Sequence, residues 1–279
     1  MSIKILTDSA SDISREDAQK MGIEIAPLKI SFGEEQYYDG VDLTPNEFYK
    51  KLVKSKSLPK TSQVTPYDFE QKFEQLTANG DEVIAIVLSS KLSGTCEAAK
   101  AAAERFAGKV HVFDSLNVAA GERIICNYAL SLIEKGLSAK EVVAELEKIR
   151  DKVCITATLD TLEYLKKGGR ISGASAIMGS ILNIKPVAKL DDGVVKMMGK
   201  ARGYKKAIAL MNNAIKESGV DFDKPCGIIW TGLEPEIATA YLQNSKDLWG
   251  EHRVPTYIVG STIGTHIGPG VVGVAYFKK

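Results

Sequence analysis

What most constrains this chain is a repeated succession of short apolar run, polar turn and capped helical pattern in its first half. "IKIL" (Ile3 to Leu6) precedes Thr7-Asp8-Ser9, "VIAIVLSS" (Val83 to Ser90) precedes "KLSGTCEAAKAAAERF", and "KVHVF" (Lys109 to Phe113) precedes Asp114-Ser115 and another helical pattern. Thr44-Pro45-Asn46-Glu47 and Thr65-Pro66-Tyr67-Asp68 each put a threonine cap before a proline, with an acid at the third helical position. Strand, turn and helix in this order predict a doubly wound, mostly parallel α/β layer through about Arg150.

After "KVCITATL" the grammar changes. "KPVAKLDDGVVKMMG" reads as a hairpin turning at Asp192-Gly193, and "CGIIW", "PTYIV" and "VVGVAYF" supply further strands. Helices are expected near Tyr204 to Glu217 and Pro235 to Ser245. At 279 residues the chain exceeds one typical domain of about 150. Two α/β domains are therefore expected, residues 1–152 and 153–279.

Hydrophobic residues make up 44% and charged residues 25% of the chain, the balance of an ordinary globular protein. The net charge of +1 gives no footprint for nucleic acid or an anionic membrane, so any anion must be caught locally. "MSIKILTDSASD" has no signal-peptide core, and a cytoplasmic location is expected. Cys96, Cys126, Cys154 and Cys226 form no C-x-x-C pair, which fits reduced thiols, and with only 3 histidines no metal site is expected.

The uncharged stretch "ISGASAIMGSILNI" (Ile171 to Ile184) is shorter than the roughly 20 apolar residues that span a bilayer. Ile171, Ala174, Ile177, Met178, Ile181 and Leu182 recur at helical spacing, which predicts a helix buried nearly all round. Such a helix serves either core packing or the wall of an apolar ligand pocket.

Ligands of doubly wound sheets sit beyond the strands' carboxyl ends, so the turns there are the candidate sites. In "SSKLSGT", Ser93-Gly94-Thr95 opens a helix and offers a hydroxyl with free backbone N–H groups to an anion, or is an ordinary cap. A nucleophilic Ser93 lacks the elbow glycine of G-x-S-x-G, because Lys91 stands there. By residue type, a lipid hydrolase using Ser93, His266 and an acid such as Asp8 remains the alternative. "LKKGGRISG" places Arg170, whose planar fork suits a carboxylate or phosphate, after the Gly168-Gly169 break; a surface arginine after a C-cap is the other reading. Thr61 and Ser62 of "PKTSQ" are either turn residues or ligand contacts.

"GSTIGTHIGPGVVG" (Gly260 to Gly273) reads as a turn between strands, in which glycines let backbone pass close to a ligand while His266 points inward and Pro269 holds the shape. "MMGKARGYKKA" gathers Lys200, Arg202, Lys205 and Lys206, either a solvated face or a docking patch for a partner. No P-loop or protein-kinase signature occurs, so ATP chemistry would need another chain.

"TDSASD" at Thr7, "KTSQ" at Lys60, "LSSKLSGT" at Leu88, "KKGGRIS" at Lys166, "IKP" at Ile184 and "GSTIGTHIGPG" at Gly260 fall in the order and spacing of the DegV family, which the chain resembles over essentially its whole length. It departs at Val64-Thr65-Pro66, where the family commonly has Pro-Ser, and at Cys96, where it commonly has Tyr. The resemblance implies a two-domain α/β protein, not itself an enzyme, holding one long-chain fatty acid in a tunnel between the domains. It implies a role as the lipid-binding subunit of a two-component bacterial fatty acid kinase, whose separate ATP-binding subunit makes acyl phosphate for phospholipid synthesis; a lipid-sensing module without a kinase is a further alternative. The carboxylate would meet Thr61, Ser93, Arg170 and His266, supported by Ser62, Gly94, Thr95, Gly169 and Gly268. The tail would follow Ile171, Ile177, Met178 and Ile181, and Arg202 and Lys205 would face the kinase. No cofactor and no nucleic acid is expected, and transient contact with a membrane is compatible with lipid exchange.

Overall fold

The computed structural model describes residues 2–171 and 183–279. In chain order its elements begin β1 (Ile3–Asp8), α1 (Arg15–Met21), β2 (Ile23–Ala26), β3 (Lys29–Phe32), β4 (Glu35–Tyr38), α2 (Pro45–Lys54), β5 (Lys60–Ser62) and α3 (Pro66–Thr77). They continue with β6 (Glu82–Val87), α4 (Thr95–Ala103), β7 (Val110–Asp114), α5 (Ala120–Glu134), α6 (Ala139–Ile149), β8 (Val153–Thr158) and α7 (Glu163–Lys167). The remainder is β9 (Ile184–Asp191), β10 (Val194–Arg202), α8 (Tyr204–Ser218), β11 (Gly227–Trp230), α9 (Glu236–Asn244), α10 (Lys246–Trp249), β12 (Thr256–Ile258), α11 (Ser261–Ile267) and β13 (Val272–Phe277).

The expected parallel layer is a sheet ordered β2-β1-β6-β7, every pair parallel. Its central strands are apolar on consecutive residues, Val83 to Val87 all buried, because helices cover both faces. From β1 the chain crosses first to β2 on one side and later to β6 on the other. The connections leaving β1 and β6 therefore diverge, and a crevice opens beyond their carboxyl ends. Both Thr-Pro starts are capping boxes: Glu47 N donates to Thr44 Oγ1 at 3.3 Å and Thr44 N to Glu47 Oε2 at 2.9 Å, with Thr65 and Asp68 paired the same way.

A mixed sheet ordered β10-β9-β8-β13-β11-β12 takes its strands from Val153 onward. The β9–β10 hairpin turns where expected, with Asp192 at φ 51° and Gly193 at φ 72°, the positive pair that a two-residue hairpin turn requires. Its tip docks on the loop after β6, where Ser89 Oγ donates to Gly193 O at 2.8 Å. Helix α5 lies between the two sheets. Its Ile124, Ile125 and Ala129 join one buried cluster with Ile5 and Ile84 of the parallel sheet and Ile229, Ala275 and Phe277 of the mixed one.

Three features differ from the sequence reading. A small antiparallel sheet, β4-β3-β5, was not foreseen; its strands are short and β4, Glu-Gln-Tyr-Tyr, has no buried residue to produce an apolar alternation. The glycine-rich stretch read as a turn contains the helix α11, ended by Gly268 at φ 73°. Of the helix expected over Ile171 to Ile184, residues 172–182 lie outside the described residues and the described ends are not helical: Ile171 forms an isolated bridge to Val195, and Ile184 opens β9. Ile177, Met178 and Ile181 lie outside the described residues. All four cysteines are free. Among the described residues no helix is long and apolar enough to cross a membrane.

Candidate ligand-binding site

A cavity of about 370 Å³ opens beyond the carboxyl ends of β2 and β6, and the structure brings Thr61, Ser93, Arg170 and His266 together on its wall. Thr61 comes from β5, Ser93 from the turn before α4, Arg170 from the break after α7 and His266 from α11. Thr61 Oγ1 and His266 Nε2 are 3.0 Å apart, a hydrogen bond across 205 residues of chain. Ser93 Oγ shares a hydrogen with Thr95 Oγ1 at 2.9 Å and accepts from Thr95 N at 3.3 Å.

Arg170 donates from Nε to Leu92 O at 3.3 Å and from Nη1 to Gly168 O at 2.7 Å. A guanidinium has five N–H groups, so donors remain after these two carbonyls are served. Among the described residues no carboxylate forms an ion pair with it. Gly169 takes the left-handed φ of 67° that turns the chain from α7 into Arg170, and Gly168 clears space for the imidazole. A Cβ on Gly168 would stand 2.4 Å from His266 Nδ1.

Burial, with the charge of Arg170 second, pulls the His266 imidazole from the ordinary 6.5 down to about 4. At neutral pH the site therefore holds one cation, Arg170, beside a neutral imidazole whose Nδ1 has no hydrogen-bond partner among the described residues. In the folded state protonation waits until about pH 4, whereas the unfolded chain takes up its proton near 6.5. Stability from this group is thus full above 6.5 and declines as pH falls from 6.5 toward 4. The expected observation is an NMR titration of His266 with a midpoint near 4 that moves upward in Arg170→Gln. A midpoint near 6.5 in the native protein would contradict this environment.

Much of the remaining wall is apolar. Leu28, Leu88, Leu92, Val118, Leu165, Val195, Ile263 and Ile267 continue the cavity away from the polar residues. Five of the lining residues, Val118, Leu165, Val195, Ile263 and Ile267, also bound a further apolar chamber with Ile155, Ala157, Ala188 and Ile229. Ile171 packs beside this wall through its bridge to Val195. In the opposite direction Thr61, Arg170 and His266 face an outer recess of about 250 Å³ bordered by Lys60, Lys167 and Thr265. The polar residues thus form a partition between an apolar interior and a basic mouth.

Of the supporting positions, Gly94 precedes α4, and a Cβ there would meet Gln63 Oε1 at 2.1 Å. Thr95 is buried and Ser62 is exposed on β5. Gly268 turns the chain against Tyr164, whose ring carbon would lie 2.3 Å from a Cβ. Sequence reasoning missed Gln63 and Thr262, which also line the cavity; Thr262 falls in the stretch that was read as a turn, and only the helical periodicity 262, 263, 266, 267 shows which face looks inward. Arg202 and Lys205 are exposed at the end of β10 and the start of α8, and Tyr204 between them donates to Gly270 O just beyond α11.

The acid of the hydrolase alternative has different partners. Asp8 is fully buried, accepts Ala10 N and Leu88 N at 2.8 Å each, and is pushed by burial up to about 7. Among the described residues Ser93 and His266 share no hydrogen bond.

Together the fold and the cavity define an α/β protein with an internal site polar at one end and apolar along its length. The sequence profile described as "Uncharacterised protein, DegV family" matches residues 2–279, and the chain belongs to the DegV family. It is 36% identical over 99% of both chains to a DegV domain-containing protein of Caldanaerobacter subterraneus subsp. tengcongensis. Among solved structures it is similar to a DegV family protein from Thermus thermophilus described for its fatty acid binding, with 32% identity, 100% of both chains covered and a TM-score of 0.90. It is likewise similar to DegV from Bacillus subtilis, described as a fatty acid binding protein, with 32% identity, 100% of both chains covered and a TM-score of 0.86.

Proposed function

We propose that this protein binds one long-chain fatty acid, with its carboxylate at Arg170, His266, Thr61 and Ser93 and its tail along the apolar wall toward Ala157, Ala188 and Ile229. The observation that carries this reading is the cavity that joins an arginine with no ion-pair partner among the described residues and a neutral histidine to a largely apolar wall shared with a second apolar chamber. A carboxylate drawn out of water needs a counter-charge and several donors, whereas an acyl chain gains from dry apolar surface at about 25 cal/mol per Å². The fatty acid binding of the relatives from Thermus thermophilus and Bacillus subtilis supports the same assignment.

In this reading the protein does not act as a catalyst alone. It presents the carboxylate through the basic mouth to a separate ATP-dependent kinase subunit, which forms acyl phosphate for phospholipid synthesis, and the exposed Arg202 and Lys205 help to dock that subunit. The two units meet near residue 152 and hold the ligand where the parallel and mixed sheets face each other.

Mass spectrometry of lipid extracted from protein purified without added fatty acid tests the reading. The expected result is about one fatty acid per chain, and incubation with an ATP-binding kinase subunit converts it to acyl phosphate. A delipidated protein that takes up no fatty acid would overturn the assignment. Uptake without acyl phosphate would remove the kinase role alone.

A further inference from the structure

Helix α11, which carries His266, has no side-chain cap from its own N-cap residue, Gly260. Three backbone N–H groups at its start are instead met by carboxylates from remote segments. Gly260 N donates to Asp12 Oδ1 at 2.8 Å, and Ser261 N and Thr262 N donate to Asp39 Oδ1 and Oδ2 at 3.0 Å each. Just before the helix, Tyr49 OH donates to Val259 O at 3.1 Å.

Asp39 is 3% exposed and directly follows β4. Strand β4 pairs with β3, and β3 pairs with β5, Ile30 standing opposite both Tyr37 and Thr61. One small sheet therefore grips the helix twice, through Asp39 at its first turn and through Thr61 at His266 Nε2. A helix rotates by about 100° per residue, so a one-residue slip at the first turn would swing His266 away from Thr61. Close approach at the same end leaves little slack: a Cβ on Gly260 would lie 3.1 Å from Asp12 Oδ1.

Burying an acid for this purpose is costly. Burial pushes the Asp39 carboxyl above its ordinary range, and a serine in place of Gly260 is the usual local means of capping. A local cap, however, fixes only the helix's own first turn. A carboxylate reaching from another sheet also fixes where that turn lies relative to the sheet.

We propose that Asp39, assisted by Asp12, is a positioning residue: it sets the register of α11 against the small sheet so that the His266 ring and the Thr61 hydroxyl meet at the headgroup end of the cavity. The proposal rests on the fatty-acid reading only for the ligand, since the Thr61–His266 pairing belongs to the protein itself.

The test compares the full-length native protein with Asp39→Asn, Asp12→Asn, Thr61→Val and, as a destabilised control remote from the site, Ile84→Val. The ¹⁵N resonances of the His266 ring are read in the delipidated proteins, together with the preference for oleate over oleyl alcohol. In Asp39→Asn the amide offers a donor to one of the two N–H groups, and the Nε2 resonance is expected to move to its Thr61→Val position. The oleate preference is expected to fall about tenfold, the scale of one lost charge-assisted hydrogen bond. Asp12→Asn, which disturbs one bond instead of two, is expected to move both in the same direction by less, and carries the comparison alone if Asp39→Asn does not fold. Ile84→Val is expected to change neither. The proposal is overturned if the Asp39 and Asp12 variants melt earlier while the Nε2 resonance and the preference stay native. If the native protein binds no oleate, the fatty-acid reading fails while the ring resonances still decide the positioning role.

Discussion

Arg170→Ala is expected to weaken fatty acid binding by about 1.5 to 3 kcal/mol, roughly tenfold to a hundredfold, while leaving thermal stability nearly unchanged. Arg170 is the cation of the polar wall, and without it a bound carboxylate would have only neutral donors. The fold loses little, because the two carbonyls that Arg170 serves, those of Leu92 and Gly168, belong to partly exposed loop residues that water can reach. Arg170→Lys should recover only part of the affinity, since an ammonium does not present the planar fork. Displacement of a fluorescent fatty acid from delipidated protein measures the effect. Native affinity in Arg170→Ala would place the carboxylate elsewhere.

Gly264→Ala is expected to destabilise the protein although it lies in the middle of a helix, where alanine is worth up to about 1 kcal/mol more than glycine. The added Cβ would stand 2.7 Å from Tyr49 Oη and 2.8 Å from a ring carbon of Phe48, two fully buried aromatic side chains on α2. Overpacking of this kind costs about 1 to 3 kcal/mol, which outweighs the propensity gain. A melting temperature lower by several degrees is the expected outcome, and Gly264→Ala is expected to cost less in a Tyr49→Phe background, where the nearer atom is absent, than in the native chain. A higher melting temperature in Gly264→Ala would show that α11 stands farther from α2 than the structure places it.

These glycines explain why α11 was legible as a break and not as a helix. Gly260, Gly264 and Gly268 fall four residues apart, with Gly268 N donating to Gly264 O and Gly264 N to Gly260 O at 2.9 Å each. They allow close approach to Asp12 and Asp39 at Gly260, to Tyr49 and Phe48 of α2 at Gly264 and to Tyr164 of α7 at Gly268, while Ile263, His266 and Ile267 face the cavity. A short helix with glycine on one face and only Ile263 and Ile267 as its apolar stripe has low intrinsic propensity, and packing supplies what propensity lacks. Asp39 was invisible for a related reason: in sequence, "YYDG" is an ordinary turn, and its role exists only once Ser261 and Thr262, more than 200 residues away, present their N–H groups.

By itself the sequence determined whatever depends on neighbours along the chain. The Thr44 and Thr65 caps bind residues three positions on, the Asp192-Gly193 turn needs only its own two positive φ angles, and the short apolar runs at Ile3, Val83 and Lys109 mark strands by their own composition. It also displayed the polar side chains of the site, because Ser93, Arg170 and His266 stand among glycines where packing alone asks for none of them. Only the tertiary structure decided that Thr61 and His266 touch, that Asp39 receives the first N–H groups of α11, and that an apolar chamber adjoins the cavity from Val195 to Ala157 and Ala188. The first two rest on contacts between segments more than 200 residues apart, and all three on how two sheets pack on α5 and not on any local conformational preference.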